Sequence, residues 1–178
     1  MKLNNALQRI IFGLAIIGIP VLNSQLYAAN ITSTNFTITG VLEAKTCSFN
    51  ETSLSIVLPE VDTRSLNNSN ETQGEKSFTL LLNCNGGVNE VNITPSGMAV
   101  ANGDSTLFLN TSTAKNVGLR LVDQSGNILT PDGQRKVTIN YQETEGKYTF
   151  SAGYARTGAG RVSGGLFLAT VTFSLDYS

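Results

Sequence analysis

The sequence predicts an all-β sandwich, and three observations support this fold class. Short runs in which apolar and polar residues alternate recur along the chain, with turn-forming residues between them. After residue 28, no stretch keeps a 3.6-residue apolar period over three helical turns. Thr, Ser, Asn and Gly are plentiful, whereas charged residues are sparse. Many short strands at this spacing are typical of the immunoglobulin type of sandwich.

The first 28 residues are expected to be a secretory signal peptide. Lys2 and Arg9 form a short basic region, residues 10–22 are largely apolar, and small Ala28 ends a stretch that resembles a cleavage site. The apolar run is shorter than the roughly 20 residues needed to span a bilayer. We therefore expect cleavage near Ala28 and an exported mature chain of one domain. Removing Lys2 and Arg9 leaves ten basic residues against thirteen acidic ones, with no basic stripe, so nucleic acid is not an expected partner.

The alternating runs place the predicted strands. Residues 64–76 form a polar stretch that we expect to be a loop, and turns are expected at 85–87, 95–97, 123–127 and 131–133, where Gly accepts positive φ and Pro sets the first corner. The apolar faces of the predicted strands, in chain order, are Phe36, Ile38, Gly40 and Leu42; Leu54, Ile56 and Leu58; Phe78, Leu80, Leu82 and Cys84; Val91 and Ile93; Leu107 and Leu109; Val117, Leu119 and Leu121; Val137 and Ile139; and Tyr148, Phe150, Ala152 and Tyr154.

The last fourteen residues form the clearest predicted strand. Apolar residues alternate there with mostly polar ones up to the final residue, so one face of the strand is apolar. With no later segment to form a hairpin, another segment must cover one edge, because an exposed apolar strand is a template for aggregation. Function is therefore expected to depend on which molecule supplies the neighbouring strand. The apolar face consists of Phe167, Ala169, Val171, Phe173 and Leu175.

Cys47 and Cys84 are the two cysteines of the chain. In an exported protein such a pair indicates one structural disulfide. Closing a loop of this length stabilises the fold by about 3–4 kcal/mol on the loop-entropy model. A metal-binding or redox pair is the alternative, but the spacing is not CxxC and the chain has no histidine to complete a metal site.

The residue types offer little catalytic chemistry. Histidine is absent, which excludes Ser-His-Asp and Cys-His sites. Two carboxylate pairs, Glu60/Asp62 and Glu143/Glu145, have the residue types used in glycoside hydrolysis, but carboxylates at this spacing are usually solvated. Residues 158–164 are glycine-rich and are expected to be a flexible loop, because they precede a strand instead of opening a helix as a phosphate loop does.

Several segments combine into a family pattern. Gly40 lies seven residues before Cys47, and Gly165 and Tyr177 occupy the fourteenth and second positions from the end of the sequence. Further matches lie in residues 58–61 with Gly74, and in 78–84, 117–126 and 154–156. Over its whole mature length the chain resembles the pilin subunits of the chaperone–usher, type 1 fimbrial family.

The resemblance implies an incomplete immunoglobulin-like β-sandwich that lacks its C-terminal, seventh strand and is completed by a donor strand from a partner. Three partners follow from it: a periplasmic fimbrial chaperone that lends a strand, an outer-membrane usher, and neighbouring pilin subunits. The expected product is an adhesive surface fimbria, exported through the periplasm to the surface of a Gram-negative bacterium. No enzymatic activity, cofactor or metal is expected.

The resemblance also divides the chain into a signal peptide (1–28), a donor-strand extension (29–38) and a pilin domain (39–178). Thr34, Phe36 and Ile38 are expected to fill a neighbour's groove. The alternative is that they belong to this domain's own first strand, as residues from Gly40 onward are expected to do. The acceptor groove, which the chaperone also occupies, is expected to include Gly165, Phe167, Ala169, Val171, Phe173, Leu175, Tyr177 and Ser178.

Two other functions stay open at this point. A self-contained carbohydrate-binding adhesin domain is possible, although tip adhesins of this family resemble two joined domains without a donor extension. An exported hydrolase would have only Ser, Asp and Glu to work with. The donor segment is short, and Thr34 lies near the position where major pilins resemble one another in carrying glycine. Both features resemble minor adaptor subunits, and the choice between a major shaft subunit and a minor adaptor stays open.

Overall fold

The computed structural model describes residues 37, 39–42 and 44–178. The predicted signal peptide and the predicted donor residues Thr34, Phe36 and Ile38 lie outside these residues. The unit that contains the strands spans Val41–Ser178.

The fold is all-β, as the sequence predicts. Two short helices, each closed at its start by a polar side chain, interrupt the strands: Asp62 accepts from the Arg64 N–H at 2.8 Å, and Asn140 accepts from the Gln142 N–H at 3.1 Å. The elements are β1 (Thr46–Phe49), α1 (Thr63–Asn68), β2 (Gln73–Asn85), β3 (Glu90–Gly97), β4 (Phe108–Leu109), β5 (Val117–Asp123), β6 (Ile128–Leu129), β7 (Val137–Asn140), α2 (Tyr141–Thr144), β8 (Lys147–Arg156) and β9 (Val171–Tyr177).

The strands form two sheets that pack face to face. The larger sheet has the order β1-β2-β8-β5-β4, with β6 also paired to β5, and the smaller sheet has the order β7-β3-β9. All pairings are antiparallel. In the smaller sheet β9 is an edge strand, since its pairing partner is β3, with Val91 opposite Tyr177 and Gly97 opposite Val171.

The core lies between the sheets and is built from alternate residues of their strands. Phe108, Phe150, Leu121, Ile93 and Val91 are fully buried in it. A fully buried side chain of this size stabilises a fold by about 1.5–3 kcal/mol. The core also confirms the predicted disulfide: Cys47 of β1 is bonded to Cys84 of β2, and the two residues lie directly opposite each other in the ladder.

A polar cluster fastens the loop before β4 to the outer side of the larger sheet. Asp104 Oδ2 lies 2.8 Å from Arg120 Nη2 of β5, and its Oδ1 accepts from the N–H and the hydroxyl of Thr106 at 3.0 and 2.6 Å. Burial by itself raises the pKa of Asp104. The Thr106 hydrogen bonds and the charge of Arg120 outweigh that effect and hold the pKa below its ordinary value of 3.8.

Several predicted boundaries were wrong. Residues 39–42 and 54–58 are not strands, and residues 64–76 are not one loop, because α1 occupies its first part and β2 begins at Gln73. The predicted turn at 95–97 is also wrong: β3 continues through Pro95 to Gly97. The predicted last strand begins later than expected, since β9 starts at Val171 and residues 165–170 are bonded to a loop instead of to a neighbouring strand.

The two helices of the described residues are six and four residues long. Neither is long and apolar enough to cross a membrane.

Candidate functional site

The free edge of β9 carries unpaired backbone groups. The Ser178 N–H donates to the Glu90 carbonyl at 3.3 Å, so the even-numbered residues of this strand direct their backbone groups toward β3. Because successive residues of an antiparallel strand point to opposite sides, the N–H and C=O groups of Val171, Phe173 and Leu175 point away from β3. Among the described residues no strand pairs with that edge.

The side chains of the same odd-numbered residues face the core, yet they are only half-buried. The Phe173 ring packs against two other aromatic rings: its centroid is 5.1 Å from that of Phe150 and 6.3 Å from that of Phe78. The Phe150 side chain is fully buried, whereas Phe78 and Phe173 are partly exposed. The core is therefore filled below the inner face of β9, whereas the apolar side chains along its free edge are left partly exposed.

A second set of half-buried apolar side chains forms the opposite wall of this opening. Cys47 and Phe49 lie on β1, the edge strand of the larger sheet, and Phe78 and Leu80 lie on the neighbouring β2. They pack against the same core cluster as the inward residues of β9. The two edge strands, β1 and β9, thus bound a groove with apolar walls, which we call the acceptor groove.

Ala169 is the smallest side chain on the inward face of residues 167–175. This small side chain lies between Phe167 and Val171 on the inward face, and all three are half-buried. At the start of the groove, near Gly165, the Phe167 ring meets the Tyr154 ring edge to face, with centroids 4.9 Å apart. A strand with alternating apolar side chains that paired with this edge would have more room for the side chain next to Ala169 than for those next to Phe167 and Val171.

The segment before β9 is held tightly by residues 110–114. The Leu168 N–H donates to Asn110 Oδ1 at 2.9 Å, and its carbonyl accepts from the Thr111 N–H at 2.8 Å. The Leu166 N–H donates to Thr113 Oγ1 at 2.8 Å, and its carbonyl accepts from the Ala114 N–H at 2.9 Å. These four bonds fix the segment while leaving both leucine side chains exposed.

Gly165 has a steric role at the start of this segment. A Cβ on Gly165 would lie 2.6 Å from the Ala114 backbone nitrogen and 2.8 Å from Thr113 Oγ1. The chain can approach residues 113–114 this closely only without a side chain. The two remaining predicted groove residues, Tyr177 and Ser178, are exposed, and Tyr177 lies opposite buried Val91.

The residues before β1 do not belong to a sheet. Val41 is 86% exposed and Leu42 is fully exposed, and a Cβ on Gly40 would have nothing within 4 Å. The expectation that residues from Gly40 onward form the domain's own first strand was therefore wrong, since that strand begins at Thr46. The sequence misled here because the alternation of apolar residues continues through Gly40 without a break.

The carboxylates considered for catalysis lie on the surface of the described part of the chain. Glu60, Asp62, Glu143 and Glu145 are all exposed, and Asp62 is used as a helix cap. No group of His, Cys, Asp or Glu in the described part of the chain could hold a metal ion. An open depression of about 250 Å³ is lined by Asn89, Glu90, Thr138, Ile139 and Asn140, and it contains no pair of facing carboxylates.

Comparison with known proteins assigns the family. A model of the family described as "Fimbrial protein" matches residues 34–178, and the chain belongs to this family. It is a structural subunit of a fimbria. A search of curated protein sequences found no match to the chain.

Solved structures share the fold at low sequence identity. The P pilus rod subunit PapA is similar with a TM-score of 0.59 and 19% identity, over 82% of this chain and 100% of PapA. An antigen and type I fimbria protein of Burkholderia pseudomallei is similar with a TM-score of 0.53 and 22% identity, over 75% of this chain and 100% of that one. A subunit from the structure of a chaperone–usher pilus is similar with a TM-score of 0.52 and 15% identity, over 83% of this chain and 97% of that one.

Proposed function

We propose that this fimbrial subunit is completed, and joined to its neighbours, by a donor strand that pairs with the free edge of β9. The observation that carries the proposal is the acceptor groove: an unpaired backbone edge beside a row of half-buried apolar side chains. Backbone hydrogen bonds to that edge give affinity, and alternate side chains in the groove give specificity. The donor is the N-terminal extension of a second copy or of another pilin.

The free energy available is a sizeable fraction of the stability of a domain. Four large inward side chains remain partly exposed: Phe167, Val171, Phe173 and Leu175. If filling the groove completes the last third of a burial worth roughly 1.5–3 kcal/mol for each, about 2–4 kcal/mol is gained. Native domains are stable by only about 5–15 kcal/mol in total. The subunit without a donor is therefore marginal, and assembly completes its fold.

The donor segment reaches further than residue 38. Gly40 and Leu42 continue the alternation of Thr34, Phe36 and Ile38, and Leu42 lies free in solvent instead of in the domain's own sheet. In an immunoglobulin-type sandwich the missing strand runs antiparallel to its neighbour. The donor would then enter with Thr34 near the end of β9 and Leu42 near Phe167.

Secretion and chaperoning belong to the same proposal. An incomplete sandwich with an apolar open edge would aggregate on export unless another protein covered it. We infer a periplasmic chaperone that occupies the groove from Gly165 to Ser178 until an usher in the outer membrane exchanges it for the donor. Cleavage after residue 28, surface location and the lack of any catalytic activity complete this proposed role.

Synthetic peptides test the groove and the length of the donor. The subunit used has its own residues 29–42 deleted. A peptide of residues 29–42 should raise the thermal midpoint of this subunit more than a peptide of residues 29–38 does. The matched control is the 29–42 peptide with Phe36→Asn and Ile38→Asn. If all three peptides have equal and small effects on the thermal midpoint, the donor assignment is contradicted. If the two unaltered peptides have equal and large effects, the donor segment ends at residue 38.

In cells, deletion of residues 29–42 should leave a subunit that is still recovered with its chaperone but does not extend a fibre. Fibres seen by electron microscopy from the deleted subunit alone would refute the assembly mechanism. A glycan array on the donor-complemented subunit tests the adhesin alternative, for which specific saturable binding is required.

A further inference from the structure

Exposed apolar side chains outside the core and the groove include Leu166, Leu168 and Val41. Leu166 is 72% exposed and Leu168 is 60% exposed, although the backbone of both is fixed by residues 110–114. Val41 is 86% exposed on the segment before β1. Single exposed apolar residues are common, but two leucines held outward on a rigid segment form a surface prepared for a contact.

The alternation of a strand places the three residues on one side of the completed sheet. Phe167 and Ala169 face the groove, so Leu166 and Leu168 lie on the opposite, outer face. In a donor strand, Gly40 and Leu42 would face the groove, and Val41 between them would face outward. Val41 of one copy therefore comes to the same face as Leu166 and Leu168 of the copy that receives it.

The direction of the donor brings them to the same end of that face. In the antiparallel arrangement, Leu42 lies near the start of the groove, opposite Gly165, Phe167 or Ala169. Val41 then lies opposite Leu166, Leu168 or Thr170, respectively. In each of these registers Val41 has a leucine as its direct or its diagonal cross-strand neighbour, and both positions are within reach of apolar side chains.

The length of the linker keeps the contact close to the donor's own domain. Residues 43–45 separate Leu42 from Thr46, where β1 begins. An extended chain reaches about 3.3–3.6 Å per residue, so the body of the donating copy lies within roughly 14 Å of Leu42. The donating domain therefore begins close to this contact.

We propose that Val41 of one subunit packs on Leu166 and Leu168 of the next, forming an apolar contact on the outer face that complements the groove on the inner face. This inference rests on the proposed donor-strand assembly and adds a second apolar layer to it. The partner is a second copy of this chain. Assembly thereby covers side chains that the single subunit leaves in water.

Fibre dissociation tests the contact without disturbing the subunit. Fibres of the full chain carrying Leu166→Asn and Leu168→Asn should dissociate about fivefold faster in denaturant than unaltered fibres, since a contact of about 1 kcal/mol corresponds to that factor. Val41→Asn should have a similar effect, and combining all three changes should add little, because they remove the same contact. The control is Ile128→Asn, an equally polar change at an exposed residue of β6.

A charge pair gives a readout that a general loss of stability would not produce. Val41→Lys or Leu168→Glu alone should accelerate dissociation, and the two together should restore part of the lost stability, with the recovery weakened by salt. Rates indistinguishable from the Ile128→Asn control would overturn the proposed contact.

Phe36→Asn separates this failure from a failure of the proposed assembly. If Phe36→Asn abolishes fibres while the leucine variants match the control, only the outer contact is refuted. If fibres with Phe36→Asn form and dissociate normally, the donor-strand assembly itself is refuted.

Discussion

Gly165 shows how one residue without a side chain shapes the site. Its position was expected from the family pattern, but the reason is structural: the chain passes so close to residues 113–114 that a Cβ would meet backbone atoms. The sequence could not reveal this reason, because residues 113–114 are distant in the chain and their loop has no alternating pattern. Gly164, its neighbour in sequence, has no such constraint.

We expect Gly165→Ala to destabilise the donor-complemented subunit by about 1–3 kcal/mol, the usual cost of forcing extra atoms into a packed site. Urea unfolding of the peptide-bound subunit measures the change. Gly164→Ala is the matched control and should be neutral, because its Cβ would have only ordinary contact with Thr63 at 3.9 Å. Equal midpoints for the two variants would show that the close approach is not maintained in solution.

Asp104 gives a pH-dependent prediction. Its pKa is lowered in the folded state, so its contribution to stability is present above pH 3.8 and is lost as the pH falls through the lower folded-state pKa. Asp104→Asn should therefore reduce the free energy of unfolding by about 1 kcal/mol near neutral pH, through weaker hydrogen bonds. The difference from the unaltered protein should shrink on acidification below pH 4.

Glu51→Gln removes one negative charge at an exposed position and serves as the control for the Asp104 experiment. A loss of stability that is independent of pH would assign the effect of Asp104→Asn to packing instead of charge.

At the scale of elements, alternation predicted most strands, and failed where tertiary contacts replace local ones. Residues 54–58 alternate like a strand but join no ladder. Lys76 Nζ of β2 donates to the Val57 carbonyl at 3.0 Å. The short α1 was missed because six residues are too few to show a helical period. The apolar face of β9 was predicted correctly, since period two is unambiguous over its length.

The disulfide is predicted to hold the groove's wall in place. β1 has four residues and pairs with β2 alone among the described strands, yet it brings Cys47 and Phe49 to the groove. Replacing both cysteines by serine should lower the free energy of unfolding by about 4 kcal/mol for a sequence separation of 37. It should also weaken binding of the 29–42 peptide, measured by calorimetry.

Treating the unaltered subunit with a reductant should reproduce both effects of the cysteine replacement. A reduced subunit that binds the peptide with unchanged affinity would show that β1 holds its position without the disulfide.

At the scale of the whole molecule, the proposed assembly predicts that the sandwich can be completed within one chain. Residues 29–42 joined after Ser178 by a short Asn-Gly turn would form an antiparallel hairpin with β9. This variant should unfold about 5–15 °C higher than the subunit without a donor, given the burial of the groove. The thermal midpoint by circular dichroism measures it, and the same variant with Asn at the two appended positions that match Phe36 and Ile38 is the control.

A subunit that is already rigid and heat-resistant without any donor would contradict this prediction. The fold class and the alternating apolar face of β9 could both be predicted from the sequence, because they depend on alternation and on the family pattern. The proposed extension of the donor to Leu42 and the outward leucines could not, because they depend on exposure, which alternation alone does not determine.

Under the proposed donor-strand assembly, the open edge of β9 also gives the polymer a direction. Each molecule would offer a tail at one place and a cleft at another, so successive copies would join head to tail, and such heterologous joints extend without closing unless the rotation between copies forms a ring. A growing filament then has two unlike ends, one with an unused tail and one with an empty cleft. The end with the empty cleft exposes apolar side chains and an unpaired strand edge. Capping of the filament, branching and aggregation would therefore take place at that end.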